Sequence, residues 1–231
     1  MRIVIAGGHG KIALRTTRLL AARGDEVVGL VRNPDHLDDV ADAGGTGHVA
    51  DLEHLTVAEL APVLAGADAV VFAAGAGPGS GTARKDTMDR GGAALLADAA
   101  ERAGVLRYVL ISSMGADDPA AATDETFAAY LRAKAASEED LRRRELDWTV
   151  LRPGALTDDP PTQRVRLGTR AGRGSVPRDD VAAVVVALLD EPSSAGLTLE
   201  VVSGEDLVDA AVQAAGRGEP GDGSVEALAQ D

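Results

Sequence analysis

Short apolar runs alternate with longer stretches of helical period along nearly the whole chain, and this alternation restricts the fold more than any other feature. The runs are Arg2–Ala6, Glu26–Val31, Gly47–Ala50, Ala69–Ala73, Tyr108–Ser112, Thr149–Arg152 and Thr198–Val202. Several are apolar at consecutive positions, as strands covered on both faces must be. Helical spacing of apolar residues recurs between them, over about 11–23, 34–43, 57–64, 86–103, 124–144 and 178–189. Together these predict an α/β fold: a doubly wound, mainly parallel sheet with helices on both faces. Gly24 and Gly104 stand where helices should stop, Pro34 suits a first turn, and Thr56 and Thr123 are candidate caps.

Composition sets the boundaries. A chain of 231 residues fits one domain; it is expected over 1–215, with a small substrate region at about 153–180. The tail from 216 to 231, with Gly216, Gly218, Pro220, Gly221 and Gly223, is expected to stay disordered. A net charge of -14 argues against a nucleic-acid partner, which would need an excess of clustered Lys and Arg. The absence of cysteine excludes disulfides, thiolate zinc sites and cysteine nucleophiles. His9, His36, His48 and His54 show no metal-ligand spacing, so no metal is expected.

Ile3–Ala6 is too short for a signal-peptide core, and no uninterrupted apolar run approaches the ~18 residues of a membrane span. The expectation is a cytoplasmic protein without a membrane partner. Lysine occurs only at Lys11, Lys85 and Lys134, so a lysine at a chemically meaningful position is less easily read as surface filler.

The first run leads at once into Gly7-Gly8-His9-Gly10-Lys11-Ile12-Ala13 and then a helical stretch. Gly7 permits a tight turn out of the strand, Gly10 lets backbone approach a ligand, and Ala13 allows close packing of helix on sheet. The helix N-terminus then offers unpaired N–H groups and a positive dipole end to a phosphate. A Walker loop is excluded because Lys11 is followed by Ile12. This is a Rossmann dinucleotide turn, with Gly7, His9, Gly10, Lys11 and Ile12 around the pyrophosphate.

The tip of the second strand selects between dinucleotides: a carboxylate there would accept the ribose 2′-OH of NAD, an arginine would pair with the 2′-phosphate of NADP. The strand ends in Arg32, and Asp25 and Glu26 lie at its other end. NADP(H) is therefore expected in preference to NAD(H). Asp51, with Leu52, is a candidate for the adenine edge, or equally an N-cap. Ala73, Ala74 and Gly75 follow the fourth strand, where backbone passes a dinucleotide, and the glycines beyond Gly75 suit either a lid or a flexible connector.

Gly7-x-x-Gly10-x-x-Ala13, Val31-Arg32-Asn33-Pro34, Ala73-Ala74-Gly75, Ile111-Ser112-Ser113, Tyr130-x-x-x-Lys134 and Leu151-Arg152-Pro153-Gly154 occur in the order of the short-chain dehydrogenase/reductase superfamily. Over about residues 1–205 the chain resembles an atypical member, of the small bacterial NAD(P)H-binding or epimerase-like group. The resemblance assigns the catalytic serine, tyrosine and lysine to Ser113, Tyr130 and Lys134. The register within Ser112-Ser113-Met114 leaves the serine position open between Ser113 and Met114. It also assigns Pro153 and Gly154 to the nicotinamide carboxamide, and Lys134 to the nicotinamide ribose.

Residues four apart share a helix face, so Lys134 can set its ammonium beneath the Tyr130 ring, where it would stabilise a phenolate and make the phenol a better proton donor. Hydride transfer involving a small carbonyl, alcohol or quinone-like substrate is the implied activity. A non-catalytic NADP(H) sensor and an epimerase or dehydratase are the alternatives. Homo-oligomers are common in the superfamily, and nothing in the sequence selects one.

Overall fold

The computed structural model describes residues 1–75 and 84–218. The chain opens β1 (Arg2–Ala6), α1 (Lys11–Arg23), β2 (Glu26–Val31), α2 (Leu37–Asp42), β3 (Thr46–Val49), α3 (Val57–Leu64) and β4 (Ala69–Phe72). A π-helical segment, Lys85–Gly92, then runs directly into α4 (Ala93–Ala103). Next come β5 (Arg107–Ile111), α5 (Glu125–Arg142), β6 (Asp147–Pro153), β7 (Ala155–Thr157), β8 (Arg164–Gly168) and β9 (Ser175–Pro177). The described chain closes with α6 (Arg178–Leu189), β10 (Leu197–Ser203), β11 (Asp206–Leu207) and α7 (Val208–Gly216).

The main sheet has the order β11-β8-β10-β6-β5-β4-β1-β2-β3, parallel from β3 through β10. Among the described strands of this sheet only β8 runs opposite to the rest, antiparallel to both β10 and β11. Alternation along β1 splits the core in two. Val4 and Ala6 pack with Leu60, Leu96 and Leu141 of α3, α4 and α5, whereas Ile3 and Ile5 pack with Leu20, Val184, Leu188 and Val212 of α1, α6 and α7. Strand order reverses between β1 and β4, so the carboxyl ends of these two strands form the crevice in which open α/β sheets bind ligands.

Of the two expected caps, Thr56 holds at the start of α3 and Thr123 gives way to its neighbour at α5. Asp124, not Thr123, caps α5, its carboxylate accepting the Phe127 N–H at 2.7 Å, a stronger acceptor than a hydroxyl. At α3, the Glu59 carboxylate turns back to accept both the N–H and the hydroxyl of Thr56. The polar-looking stretch between 157 and 174 contributes β8, whose Val165 and Leu167 alternate into the core. Helix α7 went unanticipated because its small residues, Ala-Ala-Val-Gln-Ala-Ala, merge with the glycine-rich tail that follows. Residues 219–231 of that tail, and the glycine-rich run 76–83, lie outside the described residues.

Candidate functional site

Backbone hydrogen bonds and close backbone packing shape the turn after β1. Gly7 has φ +76°, its carbonyl accepts the Gly10 N–H at 2.8 Å, and Gly8 N–H donates to Leu30 O of β2 at 2.8 Å. A Cβ on Gly7 would lie 2.6 Å from Ala74 Cα, so the turn and the end of β4 touch through bare backbone. No side chain caps α1, and no acidic residue occupies its first turn. Its N-terminal donors and dipole therefore face the crevice without an anionic competitor from the helix itself.

Beside this turn lies a cavity of about 230 Å³, lined by Gly7, His9, Gly10, Arg32, Asn33, Ala73, Ala74 and Gly75, together with Leu30, Val31, Ala50, Leu52 and Met88. The mixture of phosphate-facing backbone at one end and aliphatic walls at the other fits a nucleotide. A larger groove of about 690 Å³, running along α4 and α5, shares only Leu52 with it and carries none of the glycine turn.

Arg32 lines the cavity mouth and pairs with Glu53 at 3.4 Å, and Arg84, also on the wall, meets the same carboxylate at 3.1 Å. Burial opposes the Glu53 charge, but hydrogen bonds from Thr87 and Arg84 outweigh it and hold its carboxyl below the usual range. Asp51 has turned away from the cavity. Its oxygens accept the Glu53 N–H at 3.1 Å and pair with His54 Nδ1 at 3.0 Å, so it caps its own turn while Ala50 and Leu52 form the wall. The ring of His9 stacks on that of His36 at 3.5 Å between centroids, and its Nε2 pairs with Asp39. The ammonium of Lys11 reaches Asp158 at 2.7 Å, tying the loop after β7 to α1; this contact, then Arg178, holds the Asp158 carboxyl below the usual range. Ile12 packs into the core.

The second half of the site gathers at the ends of β4, β5 and β6. Lys134, buried, donates to Ile111 O at 3.1 Å, pairs with Asp89 at 3.1 Å, and lies 5.7 Å from the centre of the Tyr130 ring. Ser113, two residues beyond Ile111, is half-buried and donates to Met114 O at 3.2 Å. The hydroxyl of Ser112 is committed elsewhere: it donates to Glu138, which also receives two hydrogen bonds from Arg152 at 2.9 and 2.7 Å. Burial works against the Arg152 charge, and those bonds outweigh it and raise its pKa. This buried network fixes α5 against β5 and β6 one turn beyond Lys134. Of the two tyrosines, Tyr108 is a core residue whose phenol burial pushes up and whose hydroxyl donates to Ala93 O. Tyr130 is half-buried, with Phe127 stacked on it at 5.9 Å. Pro153 O accepts the Met114 N–H, and a Cβ on Gly154 would meet Gly174 O at 2.4 Å.

Arg84, Lys85, Asp89 and Glu53 were not legible as site residues. Arg84, Lys85 and Asp89 sit on a helical entry whose acidic residues are accounted for by the dipole, Glu53 sits in the turn after β3, and only folding brings them together at the crevice. The scarcity of lysine was the one signal that could have marked Lys85. Among the described residues no group of three or more His, Cys, Asp or Glu is arranged to hold a metal ion, and no helix is long and apolar enough to cross a membrane.

A family model described as NAD(P)H-binding matches residues 7–192. The chain belongs to the NAD(P)H-binding family. Among curated proteins this family member is similar to the uncharacterized sugar epimerase YhfK of Bacillus subtilis, 29% identical over 214 residues, covering 92% of this chain and 99% of that one. Among solved structures it resembles a Bacillus halodurans protein described as an NAD-dependent epimerase/dehydratase, with TM-score 0.86 and 33% identity over 92% of this chain and 99% of the other. It also resembles the oxidoreductase ylbE of Lactococcus lactis, with TM-score 0.82 and 25% identity over 93% and 96%. The NAD(P)H-binding chain thus stands close to the atypical short-chain dehydrogenase/reductases, on a Rossmann-like fold.

Proposed function

We propose that this protein is an NADP(H)-dependent oxidoreductase acting on a small carbonyl, alcohol or quinone-like substrate. The observation that carries this reading is the gathering of Tyr130, Lys134 and Ser113 at one sheet edge, at the far side of β4 from the glycine turn. Backbone of the glycine turn would hold the pyrophosphate, Ala50 and Leu52 the adenine, and Arg32 the 2′-phosphate, with Arg84 beside it. When bound, the nicotinamide supplies or accepts a hydride.

The chain's own residues then do three things. Tyr130 gives its phenolic proton to the substrate oxygen during reduction, or takes one back in the reverse direction. Lys134, held in place by Asp89 and the Ile111 carbonyl, stabilises the phenolate that remains. Ser113 offers a hydrogen bond to the same substrate oxygen. The names of the relatives favour a second reading, an epimerase or dehydratase on the same scaffold, in which reduced cofactor would not be consumed.

The test is titration of the purified protein with NADPH and NADH, followed by a carbonyl and quinone panel scored as loss of reduced cofactor. Tighter binding of NADPH is expected, with turnover of at least one compound, lost in Tyr130→Phe while NADPH affinity is kept. Binding without turnover of any compound, or full turnover in Tyr130→Phe, overturns the reading.

A further inference from the structure

Tyr130 has a second cation beside it. Lys85, in the first turn of the π-helical segment, is 8% exposed, and its Nζ lies 5.3 Å from the centre of the Tyr130 ring, slightly closer than that of Lys134. The two ammoniums differ in what neutralises them. Lys134 has the Asp89 carboxylate at 3.1 Å and a backbone carbonyl at the same distance. Lys85 forms no ion pair or hydrogen bond with any described residue, and the aromatic face is the partner its Nζ meets. Neighbouring carboxylates are turned elsewhere: Asp86 pairs with Arg90 at 3.3 Å, and Asp89 serves Lys134.

An ammonium taken from water and given only an aromatic face recovers part of its solvation, since such a contact is weaker than a desolvated ion pair. The site thus carries a buried positive charge that an incoming anion would complete. Its chemistry suits a compact oxyanion: lysine is a point charge with three donors, and this chain uses arginine almost everywhere else. The π-turn that aims Lys85 inward is a geometry found frequently at functional sites.

We propose that Lys85 receives a carboxylate of the substrate beside Tyr130, so that the favoured substrates are carbonyl compounds carrying a carboxylate near the reacting carbon. Naming the ligand a substrate rests on the oxidoreductase reading above; the anion site itself does not.

The experiment therefore reads binding and turnover separately. NADPH-loaded protein is titrated with benzoate and with its uncharged isostere benzamide, followed by NMR shifts of the Tyr130 ring, which lies against Lys85, in the wild type, Lys85→Met and Lys85→Arg. Wild type is expected to bind benzoate about tenfold or more tighter than benzamide. The preference should vanish in Lys85→Met and persist in Lys85→Arg, with NADPH affinity unchanged in both as the check on folding. Equal binding of the two probes to wild type, no binding of benzoate, or an undiminished preference in Lys85→Met overturns the anion site. A wild type that binds benzoate through Lys85 yet turns over no carbonyl compound supports the anion site and overturns the oxidoreductase reading alone.

Discussion

The ammonium of Lys134 and the carboxylate of Asp89 meet 3.1 Å apart, both almost wholly shielded from solvent, and the ammonium lies 5.7 Å from the centre of the Tyr130 ring. The pair couples α5 to the π-helical segment, and it means that the lysine beside the proposed proton donor is positioned by a charge from another element. Breaking such a pair on one side leaves the other charge buried without compensation. Asp89→Asn is therefore expected to lose about 3–5 kcal/mol of unfolding free energy in chemical denaturation. Lys134→Met/Asp89→Leu, which removes both charges, should recover much of that loss; a double variant no more stable than Asp89→Asn would show that the pair is not what the stability reflects.

The glycine turn makes a sharper demand. At Gly7 a side chain meets both a left-handed backbone and the Ala74 backbone 2.6 Å away. Gly7→Ala should destabilise the protein by about 2 kcal/mol or more and weaken NADPH binding more than tenfold. Wild-type melting and wild-type affinity together would contradict the close approach of β4 to the turn.

Arg32 offers a test of cofactor choice that leaves the fold alone, because its side chain is half-exposed and its contact with Glu53 is long, at 3.4 Å. Replacement by alanine is expected to weaken NADPH by about ten- to a hundredfold, the range of a charge-assisted contact, and to leave NADH nearly unchanged. Equal losses for the two cofactors would assign Arg32 a structural role.

A pH dependence follows from Glu53. Its carboxyl titrates below the ordinary value of 4.5 in the folded chain, so ionised Glu53 stabilises the fold above that value, and the contribution disappears as pH falls through the folded-state pKa. The difference in melting temperature between wild type and Glu53→Gln should be full at neutral pH and shrink as the pH falls below 4.5. A difference independent of pH would mean that Thr87 and Arg84 do not hold the charge.

The sequence by itself determined the strands from β1 to β6 and β10, the helices α1, α3 and α6 to within a residue or two, and the glycine turn. Each is a local pattern: a period, a cap, or a backbone angle that only glycine adopts cheaply. It also determined that Tyr130 and Lys134 share a face, since four residues make about one helical turn. Tertiary structure alone decided what surrounds them. Lys85 is forty-five residues from Tyr130, Glu53 is thirty-one from Arg84, and Glu138 is twenty-six from Ser112. No period links positions that far apart; they meet because the β1–β4 switch and the packing of α5 on the π-helical segment carry them to one edge. Asp51 makes the same point in reverse. Its place after β3 puts it beside the crevice, yet its oxygens are satisfied by Glu53 N–H and His54, so which way it faced was settled by the hydrogen bonds of its own turn.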